Sequence, residues 1–137
     1  MQKGRMNGGG ILASPKPKWV CVSVDPGICG FACMIKARKK GAREVSLDIS
    51  GSDCEQIQRM AERLATLAIK ELFTPLSRNP VYAVAEKSGC HLSCAIPVAV
   101  IKAAEVALDL ALPQEVHIKF EACQERNPNA KIKSGSV

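Results

Sequence analysis

An α+β fold, with a three- to four-stranded antiparallel sheet and two main helices packed on one face, follows from three features of the 137-residue chain. Alternating apolar stretches cluster in its first third. Longer stretches with three-and-four apolar spacing come later. Each is bounded by Gly, Pro or a capping residue, and strands grouped ahead of helices favour an antiparallel sheet covered by helices.

Lys18–Asp25 (KWVCVSVD) puts Val20, Val22 and Val24 on one face of a first strand, with Cys21 on the other. Pro26-Gly27 breaks it. Phe31, Cys33, Ile35 and Ala37 alternate in a second strand, and Val45, Leu47 and Ile49 in a third. The turn at 38–42 contains Gly41, so the second and third strands read as a hairpin. Ser52 and Glu55 have capping-box spacing, and apolar positions from Ile57 through Leu72 predict one amphipathic helix over about 53–73, stopped by Pro75. Asn79-Pro80 opens a short helix that Ser88-Gly89 closes. Pro97 suits the first turn of another, running to about Leu110. Val116, Ile118 and Phe120 alternate once more, which predicts a last strand with His117 on its surface side.

The division that results is a basic, disordered N-terminal tail over 1–18, one domain over 19–121 and a loose C-terminal tail over 122–137, with Met6 as a second candidate start. The net charge of +6 resides in the ends. Lys3, Arg5, Lys16 and Lys18 give the first 18 residues +4. Lys119, Arg126, Lys131 and Lys133 against Glu121 and Glu125 give the last 19 residues +2, and the body between them balances to zero. That distribution argues against a nucleic-acid surface. There is no apolar run long enough to span a bilayer and no secretory leader pattern, so the expected location is cytoplasmic and no membrane partner is expected.

Seven cysteines, an odd number, fit poorly with a fully paired disulfide framework, and in a reducing compartment they point to metal or thiol chemistry. Cys21 and Cys33 lie inside strand patterns and read as small apolar residues. Cys123 sits near the end and is assigned nothing. Cys29 lies between glycines in Asp25-Pro26-Gly27-Ile28-Cys29-Gly30, where Asp25 reads as the cap of the turn. Cys54 falls in the first turn of the long helix, where free N–H groups favour a thiolate. Cys90, His91 and Cys94 stand just before Pro97, and His91 and Cys94 have a two-residue gap common in metal sites. If the turn and the two helix starts converge at one end of the sheet, Cys29, Cys54, His91 and Cys94 supply a tetrahedral set for Zn or an open cradle for an iron–sulfur cluster, with Cys90 beside them.

These stretches resemble the NifU/IscU-type scaffolds of iron–sulfur assembly. Those have a Cys-Gly after a strand, a Cys opening a helix, and a His-Cys pair before a later helix. Here the counterparts are Cys29-Gly30, Ser52-Asp53-Cys54 and Cys90-His91-Leu92-Ser93-Cys94. Phe31 stands where that family usually has Asp, and His91 and Cys94 are not adjacent. The chain is also similar, over residues 24–31, 52–54, 90–97 and 102–113, to a small uncharacterised family from anaerobic bacteria and archaea, which implies no activity. The resemblance to the scaffolds implies binding of an iron–sulfur cluster or Zn by Cys29, Cys54, Cys90, His91 and Cys94. It also implies protein partners in metal or cluster transfer. The alternatives are a structural zinc site, a thiol-redox protein in which Cys54 reacts and Cys29 or Cys94 resolves, and a non-catalytic interaction module. No Ser-His-Asp set, phosphate loop or dinucleotide fingerprint is present, so no catalytic residue is assigned.

Overall fold

A computed structural model describes residues 18–27, 30–126 and 128–129. Its regular elements are β1 (Val20–Val24), β2 (Cys33–Lys40), β3 (Glu44–Ser50), α1 (Glu55–Arg63), β4 (Thr66–Ala68), α2 (Pro80–Lys87) and α3 (Ile96–Ala107), with 3-10 turns over Ile69–Phe73 and Leu76–Arg78. The four strands form one antiparallel sheet in the order β1-β2-β3-β4. The α+β class is as the sequence predicts.

The alternation that defines the strands also divides the faces of the sheet. Cys33, Ile35 and Ala37 of β2 and Val45, Leu47 and Ile49 of β3 are buried. On the opposite face of the same strands, Lys36 pairs in register with both Cys21 and Asp48. The buried strand residues form one cluster with Ile57 and Met60 of α1, Val81 and Ala85 of α2, and Val100, Ala103 and Ala104 of α3. α3 lies along β1 and β2, and α1 along β3. Gly41 closes the β2–β3 hairpin at φ +69°, a conformation that a Cβ disfavours.

Two predicted elements are corrected. The helix expected over 53–73 ends at Arg63. The chain then pairs with β3 as β4, bracketed by hydrogen bonds from Leu47 N–H to Ala65 O (2.8 Å) and from Ile69 N–H to Arg43 O (2.7 Å). The apolar spacing is preserved, because Leu67 is buried from a strand instead of a helix. β3 had an open edge, and ladder hydrogen bonds there outweigh nearly three more helical turns. The strand expected over 116–120 is absent: residues 113–126 are exposed and have no regular structure. The fourth strand is therefore β4, and the packed body ends near Leu108. His117 is exposed, as expected of a surface residue. The segment 1–17, read as a tail, lies outside the described residues.

Asn79 joins the 3-10 turns to α2. It is buried. Its Oδ1 accepts from Val81 N–H at 2.9 Å, and its Nδ2 donates to Glu71 O at 2.9 Å. Asn79→Ala removes a helix cap and leaves the buried Val81 N–H without its acceptor, so it is expected to cost about 1–3 kcal/mol in chemical denaturation. Asn79→Asp, which keeps the cap and loses the donor, should fall between Asn79→Ala and the parent.

Candidate functional site: a thiol pocket at one end of the sheet

Three chain segments meet where β1 ends and β2 begins. In the first, Asp25 Oδ1 accepts from Gly27 N–H at 3.1 Å, and Gly30 N–H donates to Gly27 O at 2.9 Å. Gly27 and Gly30 both adopt positive φ (85° and 69°), so the turn needs its glycines and Asp25 is its cap, as expected. Cys29, inside this turn, lies outside the described residues, but Pro26 and Phe31 on either side of it line the pocket described below.

The second segment carries Cys54, the N-cap residue of α1, in extended backbone geometry. The predicted Ser52–Glu55 capping box does not form. Ser52 Oγ accepts instead from Cys54 N–H at 3.1 Å, and the helix is capped at Cys54, two residues later than the motif would place it. The Cys54 thiol donates to Gln56 Oε1 at 3.1 Å.

The third segment is fixed by the end of α2. Gly89 N–H donates to Glu86 O and Cys90 N–H to Ala85 O, both at 3.0 Å, and Gly89 has φ +81°. This pair of bonds is a Schellman motif, and it sets where the backbone of Cys90 emerges. Arg59 of α1 reinforces it, donating through Nε and Nη2 to Ser88 O at 3.2 and 3.1 Å, while Arg63 donates to Lys87 O at 2.9 Å. A turn with Cys94 N–H on His91 O (3.1 Å) then leads into α3, and Ser93 Oγ lies 3.4 Å from His91 Nδ1.

These segments enclose an open cavity of about 210 Å³. Cys54, Cys90, His91 and Cys94 line it together with the apolar side chains of Phe31, Ile57 and Ile96. Cys54, Cys90 and Cys94 are half-buried and His91 is exposed. The structure thus brings four of the five sequence-predicted site residues to one cavity. The donors are not drawn into a closed set: among the described residues no three His, Cys, Asp or Glu side chains form a group that could hold a metal ion as they stand.

The thiols influence one another's ionisation. Burial pushes the Cys90 thiol up from its usual value, and the neighbouring Cys94 and Cys54 push it further, with Arg59 pulling the other way. Cys33, read from the sequence as a packing residue, is indeed buried in the core. Burial, with a smaller contribution from Cys94, raises its pKa to about 11. Its only sequence signal is position: it is the inward-facing residue at the β2 end nearest the Gly30 turn. A thiol whose folded-state pKa exceeds its unfolded value stabilises the fold below the unfolded value and loses that contribution as pH rises. Stability is therefore expected to fall between about pH 9 and pH 11 in equilibrium denaturation. Cys33→Ala should show a flatter decline over that window.

A family model described as a family of unknown function (DUF6951) matches residues 20–120. The chain belongs to that family. The DUF6951 match takes in all three site segments and the whole sheet, and it runs on into the exposed stretch after α3. No curated protein and no solved structure matches the chain. Among the described residues no helix is long and apolar enough to cross a membrane.

Proposed function

We propose that this DUF6951 protein takes up a soft metal ion or an iron–sulfur cluster as cargo, in an assembly or carrier role. Cys54, Cys90, Cys94 and His91 would be its ligands, with Cys29 as a further donor from the neighbouring turn. One observation carries the reading: three thiols and an imidazole from two distant parts of the chain line one cavity with apolar walls. Thiolates select soft and borderline ions such as Zn²⁺, Cu⁺ and the iron of clusters. The apolar wall of Phe31, Ile57 and Ile96 strengthens charge interactions inside it. The likeness of the three Cys-bearing stretches to NifU/IscU-type scaffolds supports the same class.

The openness of the pocket favours exchangeable cargo over structural zinc. The core cluster of Ile35, Val45, Met60, Leu67 and Val100 is complete without a metal, and the three donor segments are held by a Schellman motif, an Asx turn and the Ser52 Oγ–Cys54 N–H bond. Thiol ligands must lose their protons to bind, so uptake releases protons, and affinity rises with pH up to the raised pKa of Cys90.

The test is anaerobic purification followed by measurement of Zn, Cu, Fe and acid-labile sulfide, then metal titration of the stripped protein. Stoichiometric, chelator-removable binding by a protein that stays folded when stripped is the expected result. Absence of binding of any of these ions overturns the proposal. Unfolding on chelation would show structural zinc instead.

A further inference from the structure

Residues 115–121 (EVHIKFE) lie beyond the packed body and form no strand there, but they carry a strand's alternation of polar and apolar residues. Glu115 pairs with His117 at 3.1 Å and Lys119 with Glu121 at 3.4 Å. Contacts between residues two apart put the polar side chains on one side of an extended chain, which leaves Val116, Ile118 and Phe120 on the other. Those three are 57, 84 and 101 % exposed, so among the described residues the segment packs on little.

The complement is at the sheet edge. Among the described residues β1 pairs only with β2, so its other side presents N–H and C=O groups that no described strand pairs. Its five residues, VCVSV, include no charge and no proline, the usual means of blocking an edge. Val20, Val22 and Val24 face the core side but are only partly buried, because no strand lies outside them. The short β4 closes the opposite edge, with Glu71 accepting from Ala68 N–H at 2.7 Å.

We propose that residues 115–121 of one copy add as a strand to the β1 edge of a second copy, and reciprocally, closing a two-fold dimer. Main-chain bonds to β1 supply affinity. Val116, Ile118 and Phe120 then cover Val20, Val22 and Val24, and the charged side of the segment joins the polar face of Cys21 and Ser23. A second copy is the fitting partner because both halves of the contact lie on this one chain, so a single two-fold axis satisfies both. The family match reaches residue 120 and so includes all but the last residue of the segment. This interface is independent of the metal reading.

Sedimentation of the full chain in reductant, which keeps the exposed Cys21 and Cys123 from cross-linking, tests it. The mass is expected to double from 14.7 kDa as concentration rises. Ile118→Pro removes a ladder donor at a position exposed in the single chain, so it should leave the thermal midpoint unchanged and weaken dimerisation at least about tenfold. Amide exchange should show the outward N–H groups of β1 and those of 116–120 protected in the dimer only. A monomer at every concentration, a dimer indifferent to Ile118→Pro, or protection of both stretches in the monomer, where the segment would lie on its own β1, each overturns the proposal.

Discussion

Replacing Cys90 and Cys94 together by serine is expected to weaken zinc binding more than about 100-fold. Losing even an outer partner of a ligand typically costs 10–100-fold, and here two direct donors go. Serine keeps the volume but not the chemistry: its hydroxyl does not ionise near neutral pH and is a hard donor. Competition against a chromophoric chelator measures the loss. The same protein should melt within a few degrees of the parent, because neither side chain belongs to the fully buried core. Cys54→Ser should lose affinity in the same direction. Cys21→Ser should not, since Cys21 is exposed on the opposite face of the sheet. Affinity in the parent should climb as pH rises towards the raised Cys90 pKa, as the Cys90 proton becomes easier to displace. A double serine variant that binds as tightly as the parent would place the site elsewhere.

A second large effect is expected from Ile35→Ala. Ile35 is fully buried at the centre of β2 and belongs to the cluster that joins the sheet to all three α-helices. Truncation leaves a cavity, at a cost of about 2–5 kcal/mol. That is a large share of the roughly 5–15 kcal/mol that holds a domain folded. Lys36→Ala, one residue along and on the opposite face, should change stability by less than about 0.5 kcal/mol. Urea denaturation of the pair therefore reads out which face is the core. Equal effects would contradict the alternation on which the fold rests.

The strands β1, β2 and β3 were legible because a half-buried strand writes its two faces into alternate residues. α2 and α3 were legible because Asn79-Pro80, Ser88-Gly89 and Pro97 carry their boundaries in local chemistry. α1 was legible only in part. Its start shows, but nothing at Leu64–Thr66 resembles a stop, and three-and-four spacing is satisfied equally by a helix and by a short strand that buries Leu67. The stretch 116–120 has a strand pattern without a neighbouring strand among the described residues, and a pattern cannot supply a partner.

The candidate site divides in the same way. Cys54, Cys90, His91 and Cys94 were conspicuous as soft donors beside helix starts. Cys33 was not, since an inward Cys on a strand looks like any other small apolar residue until Cys94 is brought near it from the far end of the chain. Arg59 was equally unmarked: its role on Ser88 O depends on α1 crossing the end of α2, 29 residues away.

Residue order alone was enough for the fold class, the inward face of each main strand, the glycine-dependent turns and the identity of most donors, because each is a property of neighbouring residues. Three-dimensional packing chose β4 over a longer helix, left 115–121 uncovered, and gathered the thiols around one cavity. Those outcomes turn on which distant segments find each other, and local spacing carries no record of that competition.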